Sequence, residues 1–182
     1  ARTHTTQSVR LLAYRGCDLS KRDGQAVTPA FFAAQQGHTA CLSLLLSLGA
    51  DGSVFRADGA TPLIMAAQNG HESCVKFLLS PPPFELPPPV ASSSSGYTAL
   101  CLAVVAGEML CARELLTAGA DPDAADRKGR SPLYLAAAVG KASMCGLLLA
   151  HGARARRVAD DGTEPVVVAV ARGHFATAQR IV

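Results

Sequence analysis

Residues 59–71 read Gly59-Ala60-Thr61-Pro62-Leu63-Ile64-Met65-Ala66-Ala67-Gln68-Asn69-Gly70-His71. This order spells a turn, a capped helix and a stop. Gly59 suits a turn that needs positive φ. Thr61 is placed to cap the free N–H groups of a first helical turn. Pro62 follows at the first helical position, where its missing N–H costs nothing. Leu63, Met65, Ala66 and Ala67 make a short helix with small residues on one side, so a neighbour can approach closely. Gly70 ends it and His71 opens the next element.

The pattern recurs. Thr28-Pro29 precedes Gly37-His38, Thr98-Ala99 precedes Gly107-Glu108, Ser131-Pro132 precedes Gly140-Lys141, and Glu164-Pro165 precedes Gly173-His174. The steps between the capping residues are 33, 37, 33 and 33 positions, so one period holds with a single four-residue insertion. The second half of each period repeats too: Leu44-Leu45-Leu46 leads to Gly49-Ala50-Asp51, and Leu115-Leu116 to Gly119-Ala120-Asp121. Gly152-Ala153-Arg154 is a weaker copy.

A 33-residue period with Thr-Pro at a helix start, Ala-Ala inside it and Gly-His at its end resembles the ankyrin repeat. The resemblance implies an all-α repeat solenoid. Helix-turn-helix units would stack side by side, with hairpin-like finger loops and a concave groove. It implies a scaffold and no particular chemistry. The chain departs from the family in one respect. The His of the family's Thr-Pro-Leu-His is absent, with Phe31, Ile64, Cys101, Tyr134 and Val167 in its place. The hydrogen bonds that this side chain gives are therefore expected to be lost.

The period divides 1–182 into one array. Residues 1–19 read as the back half of a unit: Val9, Leu11 and Leu12 align with Leu42, Leu44 and Leu45. Whole units follow at 20–50, 51–95, 96–121 and 122–154, and 155–182 reads as a truncated one. Its cap has changed to Glu164, and Val166, Val167 and Val168 are poor helix formers, so this end is expected to be the least stable. The chain starts at Ala1 without a Met and reads as a piece of something longer. In the finger of the 20–50 unit Ala26 stands where the pattern wants Gly, which predicts an irregular finger. Phe31 and Phe32 make this unit's first helix the most aromatic.

The insertion, residues 81–95, holds Pro81-Pro82-Pro83, Pro87-Pro88-Pro89 and four consecutive serines, Ser92 to Ser95. Proline triplets favour stiff extended backbone, and serines a flexible run. The frame resumes at Gly96-Tyr97-Thr98, so a long finger loop is expected and not a domain boundary. Leu86-Pro87-Pro88-Pro89 resembles ligands of proline-binding modules, but it contains neither Pro-x-x-Pro nor Pro-Pro-x-Tyr. Ser80-Pro81 has the form of a proline-directed phosphorylation site.

No apolar run reaches the roughly 20 residues of a membrane span. The six cysteines are expected to be packed and reduced. Cys41, Cys74 and Cys111 fill one slot of the period. Equivalent residues of stacked helices lie about 10 Å apart, and a disulfide needs Cα atoms within about 7 Å. A cytosolic or nuclear setting follows. His38, His71 and His174 also fill one slot and read as scaffold parts that bond the adjoining finger backbone. No phosphate loop, His-Glu-x-x-His or nucleophile elbow occurs. No cofactor or metal site and no enzymatic activity are expected.

Charge is uneven. Residues 127–182 hold nine Lys or Arg against three acids, a net of +6. Residues 1–126 hold eight against eleven, a net of −3. In ankyrin-like proteins the first helices and finger tips face the partner. Carried over by position, the candidate partner-binding residues are Gln35, Gln36, Gln68, Asn69, Tyr97, Val105, Arg127, Lys128, Arg130 and Val139. The series begins with amides, becomes apolar and then basic. A protein or peptide ligand with acidic and apolar groups is expected in the groove. Two other readings stand beside it. In one, the array recognises substrate for a ubiquitin-ligase adaptor, which would carry a further short helical box. In the other, weaker one, the basic C-terminal half binds a polyanion; the interleaved Asp160, Asp161 and Glu164 count against nucleic acid.

Overall fold

The computed structural model describes residues 2–52, 56–80 and 93–182, with side chains from residue 6 onward. The proline-rich run at 81–92, with its proposed ligand-like motif and Pro81 of the Ser80-Pro81 pair, lies outside the described residues; Ser80 itself is exposed, and its hydroxyl donates to the Lys76 carbonyl at 2.8 Å. Among the described residues the regular structure is helical: α1 (Arg2–Tyr14), α2 (Pro29–Gln35), α3 (Thr39–Ser47), α4 (Pro62–Gln68), α5 (Glu72–Leu79), α6 (Ala99–Ala106), α7 (Met109–Thr117), α8 (Pro132–Ala138), α9 (Ala142–Ala150), α10 (Pro165–Ala171) and α11 (Phe175–Ile181). This is an all-α repeat solenoid. Among the described residues no helix is long and apolar enough to cross a membrane.

Each first helix starts where its cap residue places it. Thr28, Thr61, Thr98 and Ser131 accept the N–H three residues on at 3.1–3.2 Å. Glu164 makes no such bond, in keeping with the lost cap. Such a cap stabilises by about 1 kcal/mol. The first helices stack in one layer, α2 on α4, α4 on α6, α6 on α8 and α8 on α10. The second helices form the other layer, with α1 on α3, α3 on α5, α5 on α7 and α9 on α11. Close stacking of the first helices follows from their small residues: Ala34, Ala66, Ala67, Ala136 and Ala137 are wholly buried. The core therefore runs between the layers along the whole array.

The fingers are hairpins closed by the same two backbone bonds. In 126–130 these are Asp126 N–H to the Arg130 carbonyl at 3.1 Å and Gly129 N–H to the Asp126 carbonyl at 3.0 Å. The finger at 23–27 was expected to be irregular, and it is not. Asp23 bonds Val27 and Ala26 bonds Asp23, each at 3.0 Å. The departure is in the dihedral: Ala26 has φ +62°, the one non-glycine with positive φ among the described residues. The hairpin geometry overrides the steric preference of an alanine. Successive fingers are also bonded to one another, by Ser94 N–H to the Asp58 carbonyl, Arg127 N–H to Ser95 and Asp160 N–H to Lys128. This approach leaves no space for a side chain at Gly129, where a Cβ would lie 2.8 Å from the Asp160 nitrogen.

Three further expectations need correction. His71 does not bond a finger; its Nε2 lies 2.9 Å from the Gln35 carbonyl at the end of the preceding first helix. Lys141, in the same slot, reaches the Ala106 carbonyl at 3.0 Å. The slot thus ties one unit to the last turn of the unit before. Hydrogen bonding at the missing-His position is not wholly lost, because the Cys101 sulfur lies 3.3 Å from Thr98 Oγ1 and 3.5 Å from the Ala124 carbonyl. The cysteines are not all packed. Cys41, Cys74, Cys101, Cys111 and Cys145 are buried, and Cys17 is exposed in the turn after α1. All six are free thiols.

Candidate interaction face

A seven-residue helix is about 10 Å long, so the first-helix layer is a strip with fingers along one edge and helix C-termini along the other. Helices α4 and α8 are buried from Pro62 to Ala67 and from Pro132 to Ala138. Along α4, α6 and α8 solvent reaches the layer chiefly at its C-terminal edge, whereas α2 and α10 also expose Phe32 and Val167. At that edge Gln36, Gln68, Asn69 and Ala106 are exposed, as are Val105 (38%) and Val139 (39%). The two valines therefore face solvent and are not core residues. Gln35 is half-buried, and its carbonyl accepts from both Asn69 Nδ2 and His71 Nε2 at 2.9 Å. Asn69 is thus a tie between units as well as a surface residue. Arg172 makes the matching bond to the Ala138 carbonyl at 3.1 Å.

At the finger edge the three basic residues separate. Arg127 and Lys128 are exposed. Arg130 is half-buried and bound within the chain, with Nη2 2.6 Å and Nε 2.8 Å from Asp126 Oδ2. Its Nη2 also donates to the Tyr97 hydroxyl at 2.6 Å, and the guanidinium carbon lies 5.9 Å from the centre of that ring. Arg130 therefore fixes Tyr97 against the next finger. The Asp126 side chain is 1% exposed, and its Oδ1 accepts the N–H groups of Lys128 and Arg130. Burial alone would raise the Asp126 pKa. The hydrogen bonds from the Arg130 guanidinium and the two N–H groups outweigh it, and the carboxyl is held below its ordinary value. The same contact raises the Arg130 pKa.

Asp126 was missed in the search for site residues, although a signal exists. An Asp opening a five-residue finger, as at 23 and 126, marks a side chain that bonds its own turn. Asp123, also buried, holds Arg154 in the same way.

Among the described residues no group of three or more His, Cys, Asp or Glu could hold a metal ion. Burial pushes the Cys111 and Cys145 thiols up to about 11, with nearby glutamates adding to the effect at Cys111, so neither is a nucleophile at neutral pH.

Comparison with known proteins agrees with this geometry. The family described as ankyrin repeats (3 copies) matches residues 1–85, 49–126 and 100–182. The chain belongs to the ankyrin repeat family. Ankyrin repeats generally mediate protein–protein interaction, and the family is typically non-catalytic. Two proteins resemble parts of this ankyrin array. Neurogenic locus notch homolog protein 4 of Homo sapiens is 39% identical over 87 residues, which cover 45% of this chain and 4% of that protein. Ankyrin repeat and SOCS box protein 16 of Mus musculus is 45% identical over 69 residues, covering 34% of this chain and 15% of that protein. The chain thus spans a small part of either relative.

Proposed function

We propose that this array is a non-catalytic interaction module that holds a protein or peptide across the strip of first helices, between the fingers and the exposed helix ends. The observation that carries the reading is the distribution of exposure. A layer packed almost completely along α4 and α8 opens at Gln68, Asn69, Val105 and Val139, opposite the exposed cations Arg127 and Lys128. A partner with apolar groups toward the helix ends and carboxylates toward the fingers complements both edges. Tyr97, fixed by Arg130, supplies a rigid aromatic anchor at the finger edge.

The test is the double charge reversal R127E/K128E, with Arg130 left in place because it holds Asp126. Partner capture is expected to fall at least tenfold while the circular dichroism spectrum stays unchanged. Undiminished capture contradicts the assignment of the finger edge.

A second reading places the array as the recognition part of a larger assembly, such as a ubiquitin-ligase adaptor. The mouse relative favours it, because that protein's name joins ankyrin repeats to a second element, a SOCS box. A short helical box in the same polypeptide would distinguish this reading. Five buried free thiols fit a reducing compartment, the cytosol or nucleus.

A further inference from the structure

The acid-free part of the chain points to a second surface. From 127 to 159, one full period, there are seven Lys or Arg and no Asp or Glu. Two of these cations are neutralised from outside the stretch, Arg130 by Asp126 and Arg154 by Asp123. Arg127 and Lys128 belong to the finger edge. What remains includes a compact group after α9. We infer that the turn at 154–157 is a docking surface for an acidic protein segment, separate from the first-helix strip.

The turn is built and not merely charged. Asp123 is 5% exposed, and its two oxygens accept the Arg154 N–H at 3.0 Å and the Arg154 Nε at 2.7 Å. Arg157 N–H then closes the turn on the Arg154 carbonyl at 3.3 Å. A buried carboxylate thus fixes the backbone that carries Arg156 and Arg157. Arg156 is exposed, Arg157 is half-buried, and neither pairs with an acid among the described residues. These cations are arginines, whose planar forks bind oxyanions two bonds at a time.

The size of the group selects the partner. Four residues span at most about 14 Å. Acids bound the turn on both sides, Asp121 and Asp123 in the preceding turn and Asp160 and Asp161 in the following finger. A nucleic acid needs a longer uninterrupted basic track to follow its phosphates. A protein segment with two to four carboxylates fits. Single exposed ion pairs are weak, so several must form together.

The test uses the whole chain and a fluorescein-labelled peptide of four Glu-Glu-Gly repeats, which lacks the apolar groups the first-helix strip takes, with a twelve-nucleotide oligo-dT as the second probe. Anisotropy at low salt is compared for wild type, R156E/R157E, R156A/R157A and R127E/K128E. Arg154 is kept because it satisfies Asp123. Peptide affinity is expected to fall at least tenfold in R156E/R157E, by a smaller factor in R156A/R157A, and less than twofold in R127E/K128E. Oligo-dT should bind more weakly than the peptide. The inference is overturned if wild type does not bind the peptide, or if the 156/157 variants bind it as wild type does. It is also overturned if only the finger variant loses the peptide, or if oligo-dT is the tighter ligand and depends on Arg156 and Arg157. The finger variant reports on the first-helix strip independently, so the two surfaces can fail separately.

Discussion

Arg130 Nη2 donates to the Tyr97 hydroxyl at 2.6 Å, and the same guanidinium closes on the buried Asp126 carboxylate. One side chain therefore joins two fingers that are 33 residues apart in sequence. Removing it leaves Asp126 buried with only its backbone donors. Arg130→Ala is expected to destabilise the array by about 2 kcal/mol, read as a lower urea midpoint. Tyr97→Phe keeps the ring and loses one hydrogen bond, for about 1 kcal/mol.

The depressed Asp126 pKa has a definite pH signature. A carboxyl whose folded pKa lies below its unfolded value adds stability above the unfolded pKa, near 3.9. That contribution disappears as pH falls through the folded pKa. Wild type should lose stability on acidification below about pH 4, and Asp126→Asn should show a shallower loss over that window. Urea titrations at pH 7, 4 and 3 make the comparison, and an identical acid slope would remove Asp126 from the acid-labile groups.

Ala26 is the strained residue of the finger series, with φ +62°. Ala26→Gly is expected to stabilise by about 0.5–1 kcal/mol, since the relief of left-handed strain exceeds the added freedom of the unfolded chain. The converse change at Gly129, Gly129→Ala, should cost about 2 kcal/mol or more. It combines φ +69° with a methyl 2.8 Å from the Asp160 nitrogen. Thermal melts of both variants check the pair, and shifts of the same sign would contradict it.

Most of the scaffold could be read directly, because a repeat shows its structure by recurrence. Thr28, Thr61, Thr98 and Ser131 cap as their position before a helix dictates, and the alanine pairs bury as small residues at a close approach must. What could not be read were contacts between units. The His71 and Gln35 tie joins residues 36 apart, and no local pattern states that distance. The division of labour among Arg127, Lys128 and Arg130 was hidden for the same reason. Three cations in four positions look alike until Asp126 and Tyr97 are placed beside one of them. Ala26 shows the opposite limit, where a local preference was legible but the finger's hydrogen bonds override it.

Thiol accessibility gives a direct check on packing. Under native conditions one of the six cysteines, Cys17, should react rapidly with a maleimide, and the five buried ones only after unfolding. Mass spectrometry of the intact chain counts the labels. Rapid labelling of Cys111 or Cys145, whose thiols burial holds near 11, would show that the second-helix layer opens.

Site-specific photo-crosslinking tests the proposed interaction face most directly. A benzophenone side chain replaces Val105 or Val139 at the first-helix ends, or Leu110 on the second-helix layer. All three positions are between 38% and 47% exposed, so reach is comparable. With a captured partner present, adducts are predicted from positions 105 and 139 and none from 110. Adducts from position 110 alone would contradict binding across the first-helix strip.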